Sequence, residues 1–121
     1  MARILVVDDD PKITRMIELI LAPKNHEIVT AADGKIALKK ALDRRPDLII
    51  ADIIMPNLDG PSFISELWEK MNDRTIPVIF LTGLISKEEE KTQNQLIGSQ
   101  FFIAKPFTAA ELNLVIEKAL H

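Results

Sequence analysis

Short apolar runs, most of them closed by a polar residue, alternate along this sequence with stretches that carry apolar residues at helical spacing. Five runs are predicted to be strands, at residues 4–7, 27–31, 47–51, 77–81 and 100–104. Runs of this length, bounded by acids or turn residues, are typical of strands buried on both faces. Because a predicted helix follows each strand, the alternation predicts an α/β protein with a doubly wound parallel sheet.

Capping residues mark where the predicted helices begin. Asp10, Asp33 and Thr108 precede helical patterns, and their side-chain oxygens can accept hydrogen bonds from the free N–H groups of the first turn. Glu111 follows Thr108 by three residues, which completes a capping box. Pro61 is predicted to open a further helix.

Polar residues close four of the five predicted strands at one edge of the sheet. They are Asp8, Asp9, Asp52, Thr82 and Lys105. Singly, each has an ordinary explanation, as a solvated loop acid, a turn residue or a surface lysine. Together they are unusual, because like charges about 4 Å apart repel by roughly 4 kcal/mol at an effective dielectric constant of 20. A cation would reverse that sign, and ligands that are all oxygen suit Mg²⁺.

Composition limits the classes of function. The 121 residues, 47% apolar and 27% charged, are enough for one globular domain. Net charge is −3 with scattered basic residues, which argues against direct contact with nucleic acid. There is no cysteine and no apolar run of about 18 residues, so we expect a cytoplasmic protein without disulfides or a membrane span.

Four segments, ILVVDD, ADIIMPNLDG, VIFLTG and FFIAKPF, resemble at this spacing the receiver domain of two-component response regulators. The resemblance covers the whole chain. It implies one receiver domain over residues 1–121, with a flavodoxin-like (βα)5 fold and a five-stranded sheet in the order 2-1-3-4-5. It also implies a signalling switch that catalyses only its own phosphorylation and dephosphorylation. The implied partners are a sensor histidine kinase or phosphotransfer protein upstream, and an output domain, a downstream protein or a second phosphorylated copy downstream.

The resemblance also implies roles for the residues at the acidic edge. Asp52 resembles the phosphoacceptor and Asp9 a direct Mg²⁺ ligand, whereas Asp8 would act on the metal indirectly or through water. The backbone carbonyl of Ile54 would complete the protein ligands of the metal. Independently of the resemblance, a carboxylate can attack a dianionic phosphoryl group only if positive charge cancels their repulsion.

Further positions match the phosphoryl-binding and switch residues of receivers. Lys105 would pair with the phosphoryl oxygens, and Thr82 would move its hydroxyl onto them after transfer. Phe102 matches the aromatic switch position, although plain core packing explains it nearly as well. Gly83 either leaves room for a phosphodonor or is a turn glycine. Pro106 follows the lysine, and the peptide bond between them can be cis or trans.

Two features bear on switching and on signal lifetime. Residues 86–95, SKEEEKTQNQ, contain no apolar side chain, so this fourth predicted helix is either simply solvated or held weakly enough to move. With the fifth strand and fifth helix it would form the signalling face. Ile54 and Leu84 lie two residues beyond the acceptor and the threonine. Neither can hydrogen-bond an attacking water, which predicts slow self-dephosphorylation unless both are merely loop anchors.

Two other functions remain open from the sequence. A haloacid-dehalogenase-type phosphatase also uses a strand-end aspartate, Mg²⁺, a threonine and a lysine, but its later acidic pair is represented here only by Glu111 and Glu117 on a helix. A receiver-like interaction module that is never phosphorylated would be expected to lack an acid or the lysine, and this chain has them all.

Overall fold

In the computed structural model of the protein, the described residues are 2–55, 57–83, 96–97 and 100–120. The helices are α1 (Pro11–Leu21), α2 (Gly34–Asp43), α3 (Gly60–Met71) and α4 (Ala109–Leu120), with a 3-10 turn at Ala22–Lys24. The strands are β1 (Arg3–Val7), β2 (Glu27–Ala31), β3 (Leu48–Asp52), β4 (Val78–Thr82), β5 (Leu96–Ile97) and β6 (Gln100–Ala104). The helix predicted over 86–95 lies outside the described residues, and so does Leu84.

The sheet has the order β2-β1-β3-β4-β6-β5. Its first five members are parallel, and since β6 is the predicted fifth strand, the predicted order 2-1-3-4-5 is confirmed. The two-residue strand β5 pairs antiparallel with β6 and was not predicted. Two apolar residues are too few for a period to be read from the sequence.

The third and fourth strands are each displaced by one residue from the prediction, and they include Asp52 and Thr82. Asp47, predicted to begin the third strand, lies before it. Its backbone N–H donates to the carbonyl of Arg3, and its Oδ2 accepts from the N–H of Arg3, both at 2.8 Å. Asp47 therefore ties the start of β1 to the chain that enters β3.

Both faces of the sheet are covered, as the alternation predicts. Ile4 and Val6 of β1 pack in a core with α1 and α4, whereas Leu5 and Val7 pack in a second core with α2 and α3. Alternate side chains of a strand point to opposite faces, so one run of apolar residues supplies both cores. None of the described helices is long and apolar enough to cross a membrane.

The predicted caps are confirmed. Asp10 accepts from the N–H of Lys12 and Asp33 from that of Ile36, both at 2.9 Å. The capping box is reciprocal, since the N–H of Thr108 donates to Glu111 at 3.0 Å and the N–H of Glu111 to the Thr108 hydroxyl at 3.1 Å. Each of these three helices therefore begins at the carboxyl end of the sheet, where the predicted site residues lie.

Candidate phosphoryl-transfer and metal site

The carboxyl ends of four parallel strands bring the predicted site residues to one edge. Asp8 follows β1, Asp52 ends β3, Thr82 ends β4 and Lys105 follows β6. Thr82 is aligned with Ala104 in the β4–β6 ladder, and the backbone N–H of Lys105 donates to the carbonyl of Thr82 at 2.8 Å. The ladder therefore continues one residue beyond β6 and fixes the point from which the lysine side chain starts.

The ammonium group of Lys105 bridges two carboxylates. Its Nζ lies 3.0 Å from Oδ2 of Asp52 and 3.2 Å from Oδ2 of Asp8. The side chains of Asp8, Asp52 and Lys105 are 0%, 14% and 25% exposed, respectively. A lysine held this way neutralises part of the charge on the two acids and leaves the rest uncompensated.

Asp8 is a buried acid with two fixed partners. Its Oδ1 accepts the backbone N–H of Asp10 at 2.9 Å, and its Oδ2 faces Lys105. Burial raises the pKa of the Asp8 carboxyl, and the negative charge of Asp52 adds to this, against the lowering effects of the Asp10 N–H and of Lys105. Asp10 therefore serves twice, because its side chain caps α1 while its N–H orients Asp8.

The pKa of Lys105 is raised by its acidic neighbours. Burial by itself lowers this pKa, but the hydrogen bond to Asp52 and the charges of Asp8 and Asp52 together outweigh burial. The lysine is thus held in its charged form, which is the form that can pair with an anion.

Asp8, Asp9 and Asp52 form the one acidic cluster among the described residues whose geometry could hold a metal ion. One carboxylate oxygen from each lies within 4.8 Å of the others. Three acids and one lysine leave two negative charges uncompensated, and every side-chain ligand is an oxygen. A hard divalent cation such as Mg²⁺ therefore fits both the charge and the ligand type.

The loop after Asp52 returns tightly onto the strand. The N–H of Gly60 donates to the carbonyl of Ile53 at 2.9 Å, and a Cβ at position 60 would lie 2.4 Å from the carbonyl oxygen of Asp52. Only glycine permits this approach. Sequence reasoning did not single out Gly60, because an Asp–Gly pair before a helix is too common to indicate such an approach.

The remaining predicted positions differ in exposure. Gly83 is exposed, and a Cβ there would meet no atom of the described residues within 4 Å. The Lys105–Pro106 peptide bond is cis. Phe102 is partly buried, with its ring centroid 5.4 Å from that of Phe80, so it packs as a core residue. Ile54 is 64% exposed.

The family model described as the response regulator receiver domain matches residues 4–117, so the chain belongs to the response-regulator receiver family. Receiver domains of this family support phosphorylation-dependent signalling.

The chain is similar to individual transcriptional regulators of this family. It is similar to the alkaline phosphatase synthesis transcriptional regulatory protein PhoP of Bacillus subtilis, with 34% identity over 98% of this chain and 48% of that protein. It is similar to the transcriptional regulatory protein PrrA of Mycobacterium tuberculosis, with 39% identity over 91% of this chain and 46% of that protein. The chain therefore spans about half the length of these curated relatives.

Solved structures agree with the fold. The chemotaxis protein CheY4 of Vibrio cholerae is matched with a TM-score of 0.83 and 32% identity, over 99% of each chain. The relatives thus include chains of this length and chains twice as long.

Proposed function

We propose that the chain is a phosphorylation-dependent switch in which Asp52 accepts a phosphoryl group. The observation that carries the proposal is the bridge from Lys105 to Asp52 and Asp8, inside a cluster of three carboxylates at the carboxyl end of a parallel sheet. Membership of the receiver family supports this function over the phosphatase, and the contacts of Lys105 with both Asp8 and Asp52 support it over the non-phosphorylated module.

Mg²⁺ is the proposed cofactor, held by Asp9 and Asp52 with the Ile54 backbone carbonyl, and indirectly by Asp8. When bound, it supplies positive charge beside the acceptor and the phosphoryl oxygens. The three acidic side chains have the charge and the oxygen ligands that such an ion requires.

The phosphoryl donor is proposed to be a phosphohistidine of a sensor kinase or phosphotransfer protein, or a small acyl phosphate. An oxygen of Asp52 attacks phosphorus, the new O–P bond forms as the donor's P–N or P–O bond breaks, and the leaving imidazole or carboxylate takes the bonding electron pair. Lys105 offers its charge to the incoming phosphoryl oxygens, and the small side of Gly83, which no described residue crowds, would leave room for the donor.

Switching is proposed to run from Thr82 to Phe102. Thr82 is buried and ends β4, the strand next to β6, at the same edge of the sheet as Asp52 and Lys105. A shift of this hydroxyl toward the phosphoryl group would change the packing of Phe102 against Phe80. The surface of β6 and α4 would then meet an output domain, a downstream protein or a second copy. Residues 86–95, predicted to belong to the same signalling face, lie outside the described residues.

Slow self-dephosphorylation is also proposed. Hydrolysis requires a water in line with the bond from Asp52 to phosphorus, and the released product is inorganic phosphate. Ile54, two residues beyond the acceptor, has a large, exposed apolar side chain with no group to orient that water. Leu84, predicted to act in the same way, lies outside the described residues.

The test is incubation with acetyl phosphate and Mg²⁺ followed by intact mass measurement and peptide mapping. We expect one phosphoryl group on Asp52, none without Mg²⁺, and none on the Asp52→Asn variant. A control variant, Asp59→Asn, keeps a capping side chain on α3 and should be modified as fully as wild type. Equal modification of Asp52→Asn and wild type would refute the assignment of Asp52.

A further inference from the structure

The loop between β3 and α3 packs against the beginning of α2. A Cβ placed on Gly34 would lie 2.3 Å from the carbonyl oxygen of Leu58 and 2.8 Å from its Cβ. Non-bonded atoms do not approach so closely, so the loop reaches this position only because residue 34 has no side chain. The contact involves the Leu58 backbone, which cannot turn aside as a flexible side chain could.

A hydrogen bond joins the same two segments. Nδ2 of Asn57 donates to Oδ2 of Asp33 at 2.9 Å, while Oδ1 of Asp33 accepts the N–H of Ile36 at 2.9 Å. Asn57 has a φ of 70°, a left-handed conformation that asparagine tolerates better than most residues. The pKa of Asp33 is lowered by the Ile36 N–H first and by Asn57 second, so one charged carboxylate serves both the helix and the loop.

The loop is also fixed at its base. The N–H of Gly60 donates to the carbonyl of Ile53, and Met55 is buried in the core that α2 and α3 share. Ile54 lies between these points with its side chain turned largely to solvent. The described part of the loop is therefore held from two sides, by α3 at its base and by α2 near its middle.

We propose that Gly34, Asp33 and Asn57 are positioning residues that hold this loop for Mg²⁺ binding at the Asp8–Asp9–Asp52 cluster. The start of α2 would then set metal affinity although it supplies no side chain to the cluster. The inference rests on the proposed function in taking Mg²⁺ as the ligand and the Ile54 carbonyl as part of the site. Groups that orient metal ligands typically change metal affinity by about 10- to 100-fold when they are removed.

The first test is Gly34→Ala, with Mg²⁺ affinity measured by calorimetry in the absence of a phosphodonor. Alanine is a better helix former than glycine, so α2 itself is not weakened, but the Leu58 backbone must move. We expect Mg²⁺ binding to weaken by about tenfold. Lys39→Ala, an exposed change on the same helix, should bind as wild type does. Equal affinities of Gly34→Ala and Lys39→Ala would overturn the proposal.

The second test exchanges the hydrogen-bonding groups, and it stands even if Gly34→Ala fails to fold. Asn57→Asp keeps the size and tolerance of left-handed φ but sets two carboxylates against each other. The added negative charge alone would strengthen Mg²⁺ binding, whereas a displaced loop would weaken it. We expect weakening by about tenfold. Stronger or unchanged binding would overturn the role of this hydrogen bond.

The double variant Asp33→Asn with Asn57→Asp provides the rescue. It has the net charge of wild type, retains an oxygen to cap Ile36, and restores the hydrogen bond with donor and acceptor exchanged. We expect Mg²⁺ affinity within about twofold of wild type, which a double-mutant cycle reports as coupling between the two positions. Additive effects of the two substitutions would contradict the proposal.

Acetyl phosphate labelling of wild type, run in parallel, separates this proposal from the proposed function. If wild type is phosphorylated on Asp52 and all variants bind Mg²⁺ equally, the positioning role alone fails. If the variants weaken Mg²⁺ binding while wild-type Asp52 is never phosphorylated, the phosphoacceptor assignment alone fails.

Discussion

The two ends of the parallel sheet carry different charge arrangements. At the amino end, three basic and three acidic side chains form a set of two separate ion-pair groups, Arg3 and Arg44 with Glu27, and Arg45 with Asp47 and Asp73. At the carboxyl end, Asp8 and Asp52 pair with one cation of the described residues, Lys105, and Asp9 lies in the same acidic cluster. The first set is neutral and the second has two uncompensated negative charges.

At the amino end the charges pair with one another and stabilise the fold, whereas the uncompensated charges at the carboxyl end favour binding of a cation. The amino-end groups satisfy one another and the backbone, as Asp47 does with Arg3. At the carboxyl end, the protein leaves repulsion that any cation would relieve. Uncompensated like charges of this kind are expected where a site binds a ligand of opposite charge. The two ends should therefore respond in opposite ways to the loss of an acidic group.

Loss of Lys105, the cation that bridges two acids at the carboxyl end, should have the largest effect. Lys105→Met leaves three crowded carboxylates, one of them fully buried. We expect the free energy of unfolding at neutral pH to fall by about 2 kcal/mol, below the ~3–5 kcal/mol of a fully buried pair because Lys105 and Asp52 keep some solvent contact. Urea unfolding in metal-free buffer measures it.

The matched change at the amino end is Arg45→Met. Arg45 is 43% exposed and its pairs with Asp47 and Asp73 are solvated, so we expect a loss of about 0–1 kcal/mol. Lys105→Arg, which keeps the charge, should recover much of the stability that Lys105→Met loses. An Arg45→Met loss equal to or larger than that of Lys105→Met would contradict the contrast between the two ends.

Removal of one acid should change the free energy of unfolding in opposite directions at the two ends. Without metal, Asp9→Ala should stabilise the fold by about 1 kcal/mol, because an exposed carboxylate is relieved from its neighbours. Asp47→Ala should destabilise it by about 1 kcal/mol, because the Arg3 N–H loses its acceptor. Urea unfolding in chelator compares the two variants with wild type.

Calorimetric titration with Mg²⁺ completes this comparison. Asp9→Ala should weaken Mg²⁺ binding by at least about tenfold, and Asp47→Ala should leave it unchanged. Because ligand binding stabilises the native state by mass action, added Mg²⁺ should stabilise wild type more than Asp9→Ala. If Asp9→Ala is less stable than wild type in chelator, the argument from crowded charge is wrong.

The lifetime of the phosphorylated state should respond to the apolar flank of the carboxyl end. Ile54→Asn together with Leu84→Glu provides groups that can orient water, and we expect Asp52 to lose phosphate on the order of threefold faster. This is far below the ~10²–10⁴ of a fully positioned proton-transfer group. Decay of the labelled protein is followed by intact mass, with Ile54→Val as the apolar control. No acceleration in the double variant would refute the exclusion of water.

Much of the carboxyl end could be predicted from the sequence because each of its residues closes a buried run. Asp8, Asp52 and Lys105 were identified from this position alone, and the structure brings them into contact. The helix caps were predictable for a similar reason, since a local side chain meets a local N–H. In both cases the residue and the pattern that reveals it lie within a few positions of each other in the sequence.

The contacts that sequence reasoning missed join distant segments. The approach of Gly34 to Leu58 and of Gly60 to Asp52 depends on how a loop returns, and glycine before or within a helix start is too common to indicate it. The amino-end ion pairs have no periodic signal, since their charges are scattered until the strands align them. Strand β5 is too short to show a pattern.

As the pH falls, single carboxylates at the two ends should change the stability of the fold in opposite directions. Burial raises the pKa of Asp8 above 3.8, so the folded state binds its proton more tightly than the unfolded state does. The resulting cost is present at neutral pH and is relieved as pH falls toward 3.8. At the amino end, hydrogen bonds from the hydroxyl and N–H of Thr75, and then from Arg45, lower the pKa of Asp73 to about 2. Its contribution is therefore fully present above 3.8 and is lost as pH falls toward 2.

Two variants, Asp8→Asn and Asp73→Asn, separate these effects in metal-free urea unfolding followed from neutral to acidic pH. Asp8→Asn should be more stable than wild type at neutral pH, and this advantage should shrink as the wild-type carboxyl takes up its proton. Asp73→Asn should be less stable at neutral pH, and its deficit should stay constant until pH falls below 3.8, because only there does wild type begin to lose the Asp73 hydrogen bonds. Titration of His26 affects all three proteins alike and cancels in the differences. An Asp8→Asn curve that runs below wild type at neutral pH would mean that Lys105 and the Asp10 N–H fully compensate the buried charge, and the carboxyl end would then be as satisfied as the amino end.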